Sequence, residues 1–328
     1  MRRRQRERVL ICLLCAAAIP GAPAGGLAQS ADLRVVLDDV RNFVDAYERL
    51  ETSPDTVAAL QTHYLDRGTP GLQAFMEKFP FTAEELAQAV RANAADYGGL
   101  SQRLAWLQSM RESIAQAGDS LARLGTGASP LPVYLVVGAH NDVASGSKAG
   151  ALVTVEVGAA RAEKSNLLPL AMHELTHVYQ FSTIGMERYQ TIYNDRKTLL
   201  ALTLREGIAD FLAKLVTGRT TQERAHAFLT ENRSRMWEAF VADMCGEETG
   251  DWMWRRPSDP NQPSYVAYAL GAEIAESYYD REPDKRRAIA AMIAIDDYPA
   301  FLLASGYPVA RGTSAQDMEA ALVTCRSK

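Results

Sequence analysis

Histidine is scarce in this chain: five residues among 328. Chance clusters of imidazoles are therefore rare, and any close pair carries information. Cysteine is also scarce, with four residues, and two of them, Cys12 and Cys15, lie in the first 28 positions. That leaves Cys245 and Cys325, too few for a disulfide-rich scaffold, with pairing and free thiols both open. No low-complexity run or internal repeat stands out. Long apolar runs are missing from the amino terminus, where Val9 to Ile19 gives only eleven residues, too short to span a bilayer as a helix.

Positive charge is concentrated in that same leader. Met1 to Arg8 carries five Arg and one Glu, followed by the apolar run and then a small, Gly/Ala/Pro-rich stretch to Ser30. This is the order of a secretory signal peptide over residues 1–28, with cleavage expected after Ala28. The expected location is exported, periplasmic or secreted, with no stable membrane insertion after cleavage. Beyond the leader stand 30 basic and 39 acidic residues, a net charge of −9. That balance argues against nucleic acid or an anionic membrane as a partner.

Against this background the pentapeptide His173-Glu174-Leu175-Thr176-His177 dominates the reading. The chain's own His and Glu frequencies predict about 0.005 matches to H-E-x-x-H in a random sequence. On a helix, residues four apart share a face, so both imidazoles converge. Two such nitrogens suit Zn2+. Glu174, beside the first ligand, is placed to take a proton from an activated water. A catalytic zinc needs a third protein ligand and one open position. The segment Leu199 to Thr217 has helical periodicity and ends at Gly218, a plausible C-cap. Glu206 lies 29 positions after His177, far enough for the chain to turn back. Asp210, four residues on, shares its face and is expected to accept the second ring N–H of a ligating His. Gly207 costs helix propensity, which points to another element packing closely there.

H-E-x-x-H followed by Glu206-Gly207-Ile208-Ala209-Asp210 resembles the glutamate-zincins, metallopeptidases whose third ligand is Glu. More narrowly the chain resembles the Zn-dependent proteases of the family catalogued as DUF2268, over roughly Leu131 to Tyr279, through those residues and Tyr268-Ala269-Leu270-Gly271. No third His follows at the short spacing of the metzincins. The resemblance implies a peptide or protein substrate, one Zn2+ per chain, and a small sheet ahead of the motif helix with one strand edge lining the cleft. It also implies Tyr268 as the donor to the developing oxyanion, with a packed helix tyrosine as the bland alternative. Two other functions stay open: a zinc amidase or esterase acting on non-peptide substrates, and a non-catalytic envelope binding or assembly protein.

The expected fold is α+β and predominantly helical, with a zincin-like core. Residues 29–124 read as an N-terminal helical region, with Thr82 and Glu85 forming a capping box. Residues 131–290 read as the catalytic domain and 291–328 as a helical tail packed on it. Val133 to Val137 and Ala151 to Val157 read as strands, Gly138 to Gly150 as a loop, and Leu152 to Val157 as the cleft edge or a buried core strand. The motif helix is expected from near Pro169 to about Phe181. His140 is open between ligand, substrate contact and loop residue. His63 and His226 are expected to be structural, and Trp237, Trp252 and Trp254 core or pocket.

Overall fold

A computed structural model describes residues 34–50, 52–126, 131–156, 166–190 and 198–326. The leader, and with it the signal-peptide expectation, lies outside the described residues. Four strands form the sheet: β1 (Val35–Val36), β2 (Val133–Val136), β3 (Ala144–Ser147) and β4 (Gly150–Thr154), in the spatial order β1-β2-β4-β3. β1, β2 and β4 run parallel, and β3 is antiparallel to β4. The rest is predominantly helical, so the chain is α+β. Among the described residues no helix is long and apolar enough to cross a membrane.

One expectation about the sheet is decided and one is corrected. β4 is central and fully buried, so of the two readings of Leu152 to Val157 the buried core strand holds, as far as Thr154. The edge is β3, Ala144-Ser145-Gly146-Ser147, inside the stretch expected to be loop. Its small and polar residues carry little strand propensity. Pairing with β4 through a tight connection holds it extended. Thr154 N donates to Val143 O at 3.1 Å, and bonded pairs alternate along an antiparallel ladder. Ala144 and Gly146 therefore point their N–H and C=O groups away from β4, toward the open edge.

The N-terminal helices are not a separate domain, because Asp32–Lys328 forms one compact unit. β1 enters the sheet beside β2. Buried Tyr64 donates its hydroxyl to Val137 O at 2.5 Å and accepts from Val137 N at 3.1 Å. Tyr97 donates to Gly138 O at 2.9 Å. Phe43 packs edge-on against Tyr64 and tilted against Tyr97. These contacts fix the end of β2. The loop that follows is held by the buried carboxyl group of Glu156, which accepts from Gly138 N and Asn141 N at 2.9 and 3.2 Å and whose pKa burial raises to about 8. His140, at φ 63°, pairs its Nε2 with Asp96 at 3.0 Å, which makes it a loop anchor. The Thr82 capping box forms as expected. Pro70 and Gly71 open the helix Pro70–Lys78 behind an N-cap at Thr69, as Pro at a first helical turn allows.

Cys245 and Cys325 form a disulfide with Cα atoms 4.5 Å apart. It ties the final helix, Ala315–Arg326, to the segment after the helix Glu223–Asp243. Closing an 80-residue separation restricts the unfolded chain by about 4 kcal/mol in the chain-entropy picture. Met318 and Leu322 of that helix are fully buried, so the tail is part of the core.

Candidate metal centre

Three helices build the site. The motif helix, Leu167–Ile184, is buried along its middle, from Ala171 to Phe181. Its face lies against the sheet: a Cβ on Gly146 would sit 3.3 Å from His177 Cβ and 3.4 Å from Glu174 O. The acid helix, Leu199–Thr217, begins at Thr198, whose hydroxyl accepts from Ala201 N, and ends at Gly218 in the left-handed conformation. The tyrosine helix, Val266–Arg281, crosses it with almost no space between the backbones. A Cβ on Gly207 would meet Gly271 C at 2.2 Å, and one on Gly271 would meet Thr203 O at 2.0 Å. The close approach expected from Gly207 is therefore a paired Gly–Gly crossing. It sets the height at which Glu206 meets the motif helix.

That crossing brings His173, His177 and Glu206 together as a buried group able to hold a metal ion. Glu206 Oε2 lies 3.2 Å from both Nε2 atoms, which are 3.2 Å from each other. Three ligand atoms about 2.0–2.1 Å from one tetrahedral ion would stand roughly 3.3 Å apart. The separations thus fit a small cation. His177 Nδ1 meets Gln180 Oε1 at 2.9 Å, so that nitrogen carries the hydrogen and Nε2 keeps its lone pair. His173 Nδ1 is buried without a hydrogen-bond partner.

Glu206's other oxygen, Oε1, accepts from Arg205 Nε and Nη2 at 2.9 and 2.6 Å. Burial alone would raise the Glu206 pKa, but Arg205, then His177 and His173, hold it well below the usual carboxylate range. One oxygen is thus neutralised by a fixed cation while the other faces the imidazoles. Neither Arg205 nor Gln180 was singled out from sequence. Gln180 follows His177 by three positions on the same face, and Arg205 precedes the acid directly, so the pattern held both signals.

Asp210 does not serve the ligands. Its Oδ1 accepts from Thr221 N and Oγ1 at 2.7 and 2.5 Å, and its Oδ2 meets His226 Nε2 at 2.7 Å. The expected partnership with a ligating His is corrected: the chain leaving the acid helix folds back over Asp210 and claims it. His226 is structural, as expected. Burial pushes the Asp210 pKa up, but His226, the nearby His173 and Thr221 more than reverse this and hold it below the usual carboxylate value. A carboxyl depressed on folding stabilises the protein above its unfolded pKa, and that contribution fades as pH falls through the folded value. Asp210→Asn is expected to cost about 1–3 kcal/mol at neutral pH. It should also flatten the loss of stability below pH 4 in urea titrations. An unchanged acid limb would count against this assignment.

Glu174 stands on the wall of a cavity of about 730 Å³ with Lys78, Ala144, Ser145, His177, Arg205 and Tyr268. A second cavity of about 530 Å³ lies on the other side and shares Ala144, Glu174, Trp254 and Tyr268. The cleft therefore continues in both directions from Glu174. Tyr268 stacks on His173, with ring centroids 5.7 Å apart at 11°. Its hydroxyl accepts from Trp254 Nε1 at 3.1 Å, which leaves its own hydrogen free for the cavity. Burial, reinforced by the Glu206 charge, pushes the Tyr268 phenol well above its usual pKa. Trp254 is half exposed at the rim, whereas Trp237 and Trp252 are core.

Gln180→Leu is expected to weaken metal binding about 10- to 100-fold without unfolding the chain, since the imidazole loses its fixed orientation. Competition with a chromogenic chelator measures this, and unchanged affinity would remove Gln180 from the site. No family model, curated protein or solved structure matches this chain.

Proposed function

We propose that this chain is a zinc-dependent peptidase with a zincin-like core, resembling the DUF2268 proteases. The observation that carries the reading is the buried meeting of His173 Nε2, His177 Nε2 and Glu206 Oε2 at 3.2 Å, with Glu174 beside them on the cleft wall. Two nitrogens, one oxygen and an open side match a catalytic rather than a closed structural zinc site. Zn2+ held by these three residues would polarise a carbonyl and acidify a water.

The chain's own residues do the rest. Glu174 takes the water's proton and returns it to the leaving amine. Tyr268 donates its retained hydrogen to the developing oxyanion. Arg205 and Gln180 hold Glu206 and His177 in ligating orientation. The open N–H and C=O groups of Ala144 and Gly146 offer a place for an extended peptide to add as a strand. A cleft open on both sides of Glu174 favours cleavage within a chain over trimming from an end. The Cys245–Cys325 bond supports an exported protein, because such bonds persist in oxidising compartments.

The test is elemental analysis of the mature protein together with digestion of a mixed peptide library. One zinc per chain, with cleavage abolished by chelation and restored by zinc, supports the reading. Zinc with hydrolysis only of non-peptide amides or esters would reassign the substrate, and zinc with no hydrolysis favours an envelope binding protein. A folded chain that takes up no zinc would overturn the reading.

A further inference from the structure

Among the described residues, the cleft wall holds one cation that the proposed chemistry does not use. Lys78 ends the helix Pro70–Lys78 and lines the same cavity as Glu174 and His177. Its Nζ donates to the hydroxyl of Ser145, in the middle of β3, and lies 5.8 Å from the Phe79 ring. Ser145 in turn donates to Gly146 O at 3.2 Å. Arg205, the other cation on that wall, is committed to Glu206. Among the described residues Lys78 has no carboxylate within ion-pair distance. Glu174, Arg205 and Glu206 act on it only through their fields, partial burial lowers its pKa, and part of the side chain stays open to solvent. A basic residue in a last helical turn is favourable for the helix alone, but that role requires neither Ser145 nor a place in the cleft.

The register of β3 says what would meet this cation. A Cβ on Gly146 points at His177, and side chains alternate along a strand. Ser145 therefore faces the opposite side of the sheet, where Lys78 stands. A substrate strand bonded to the open groups of Ala144 and Gly146 puts one residue directly opposite Ser145. That residue falls in a non-hydrogen-bonded pair, with Cα atoms about 4.5 Å apart and both side chains on one face.

We infer that Lys78 receives a carboxylate of the substrate, carried by the residue that lies opposite Ser145 on β3. This rests on the peptidase reading and adds a substrate class to it: chains presenting an acidic group at one fixed position from the scissile bond. The carboxylate has two sources, an acidic side chain within the chain or the chain's own C-terminus.

Binding separates this inference from the peptidase reading, because it requires no turnover. The probe is a set of heptapeptides with one Glu scanned through a neutral background, each with a Gln counterpart, amidated or free at the C-terminus. Affinity is measured by calorimetry on the zinc-loaded Glu174→Gln protein, with and without Lys78→Met, Lys78→Arg or Lys78→Glu. Zinc content and melting temperature check that each variant is folded. The amidated Glu peptide should bind about tenfold tighter than its Gln counterpart at one position only, as a charge-assisted bond implies. That preference should vanish in Lys78→Met, persist in Lys78→Arg and turn toward Lys peptides in Lys78→Glu. A preference confined to free C-termini, with the same Lys78 dependence, assigns the terminal carboxylate. Equal binding of Glu and Gln peptides with either terminus, or a preference that survives Lys78→Met, overturns the inference even if the protein proves to be a peptidase. Lys78-dependent binding without cleavage by wild type keeps the inference and removes the peptidase reading.

Discussion

Glu174→Gln is expected to abolish hydrolysis while leaving the metal in place. The substitution keeps the shape and the cleft position of Glu174 and removes only its ability to take and return a proton. Positioned general bases contribute about 10²- to 10⁴-fold, and in the proposed mechanism Glu174 acts in both proton transfers, so the upper part of that range is expected in kcat. KM should stay close to wild type, because the residue is not required for binding. Zinc content should remain one per chain, since Glu174 is absent from the group of His173, His177 and Glu206. Single-turnover kinetics and elemental analysis on matched samples measure both. Wild-type activity in the variant would remove Glu174 from the mechanism. Loss of zinc would place it among the ligands, against the geometry.

The second large effect falls on a residue that touches no substrate. Gly207→Ala places a methyl group 2.2 Å from Gly271 C, and Gly271→Ala places one 2.0 Å from Thr203 O. The obstacles are backbone atoms of packed helices, which cannot rotate away as a side chain can. Alanine would gain about 1 kcal/mol in helix propensity, but forcing the two helices apart costs more. Overpacking typically costs about 1–3 kcal/mol, and a clash of this depth between two backbones is expected at or above the top of that range. In a chain of this length each kcal/mol lowers Tm by about 2–4 °C, so Tm should fall by roughly 10 °C. Glu206 is displaced with its helix, so zinc affinity should fall in the same variant. A Gly207→Ala protein with unchanged Tm and metal affinity would contradict the crossing.

Gly207 also shows how far the sequence could be read. An interior helix glycine beside a candidate ligand is a contradiction in local terms, and that contradiction pointed to a neighbour before its identity was known. The acid helix, with bounds at Leu199 and Thr217, was legible for a similar reason: periodicity and a C-capping glycine agreed, and the structure adds Thr198 as the N-cap. Where local signals are weak, the reading failed. β3 is built from Ala, Ser and Gly, and only its pairing with β4 makes it a strand. β1 is two residues long, and its partner lies far along the chain. Asp210 had the right spacing to serve a ligand, but spacing says nothing of competing donors, and Thr221 and His226 reach it from the following turn and helix. Lys78 shares a cavity with His177 and Glu206 although about a hundred positions or more separate it from either, and no periodicity reports a meeting of that kind.

The first strand has a consequence for how the molecule comes into being. Val35 pairs with Val133, 98 positions later. Until that second strand exists, the first has no partner in the sheet. Contacts so distant in sequence form late, because the intervening chain must lose its freedom before any pairing is gained. During synthesis from the amino terminus, the early helices therefore precede the platform on which they will pack. The sheet closes only when residues up to Thr154 have been made, so the first hundred residues wait for a partner that arrives just before the middle of the chain.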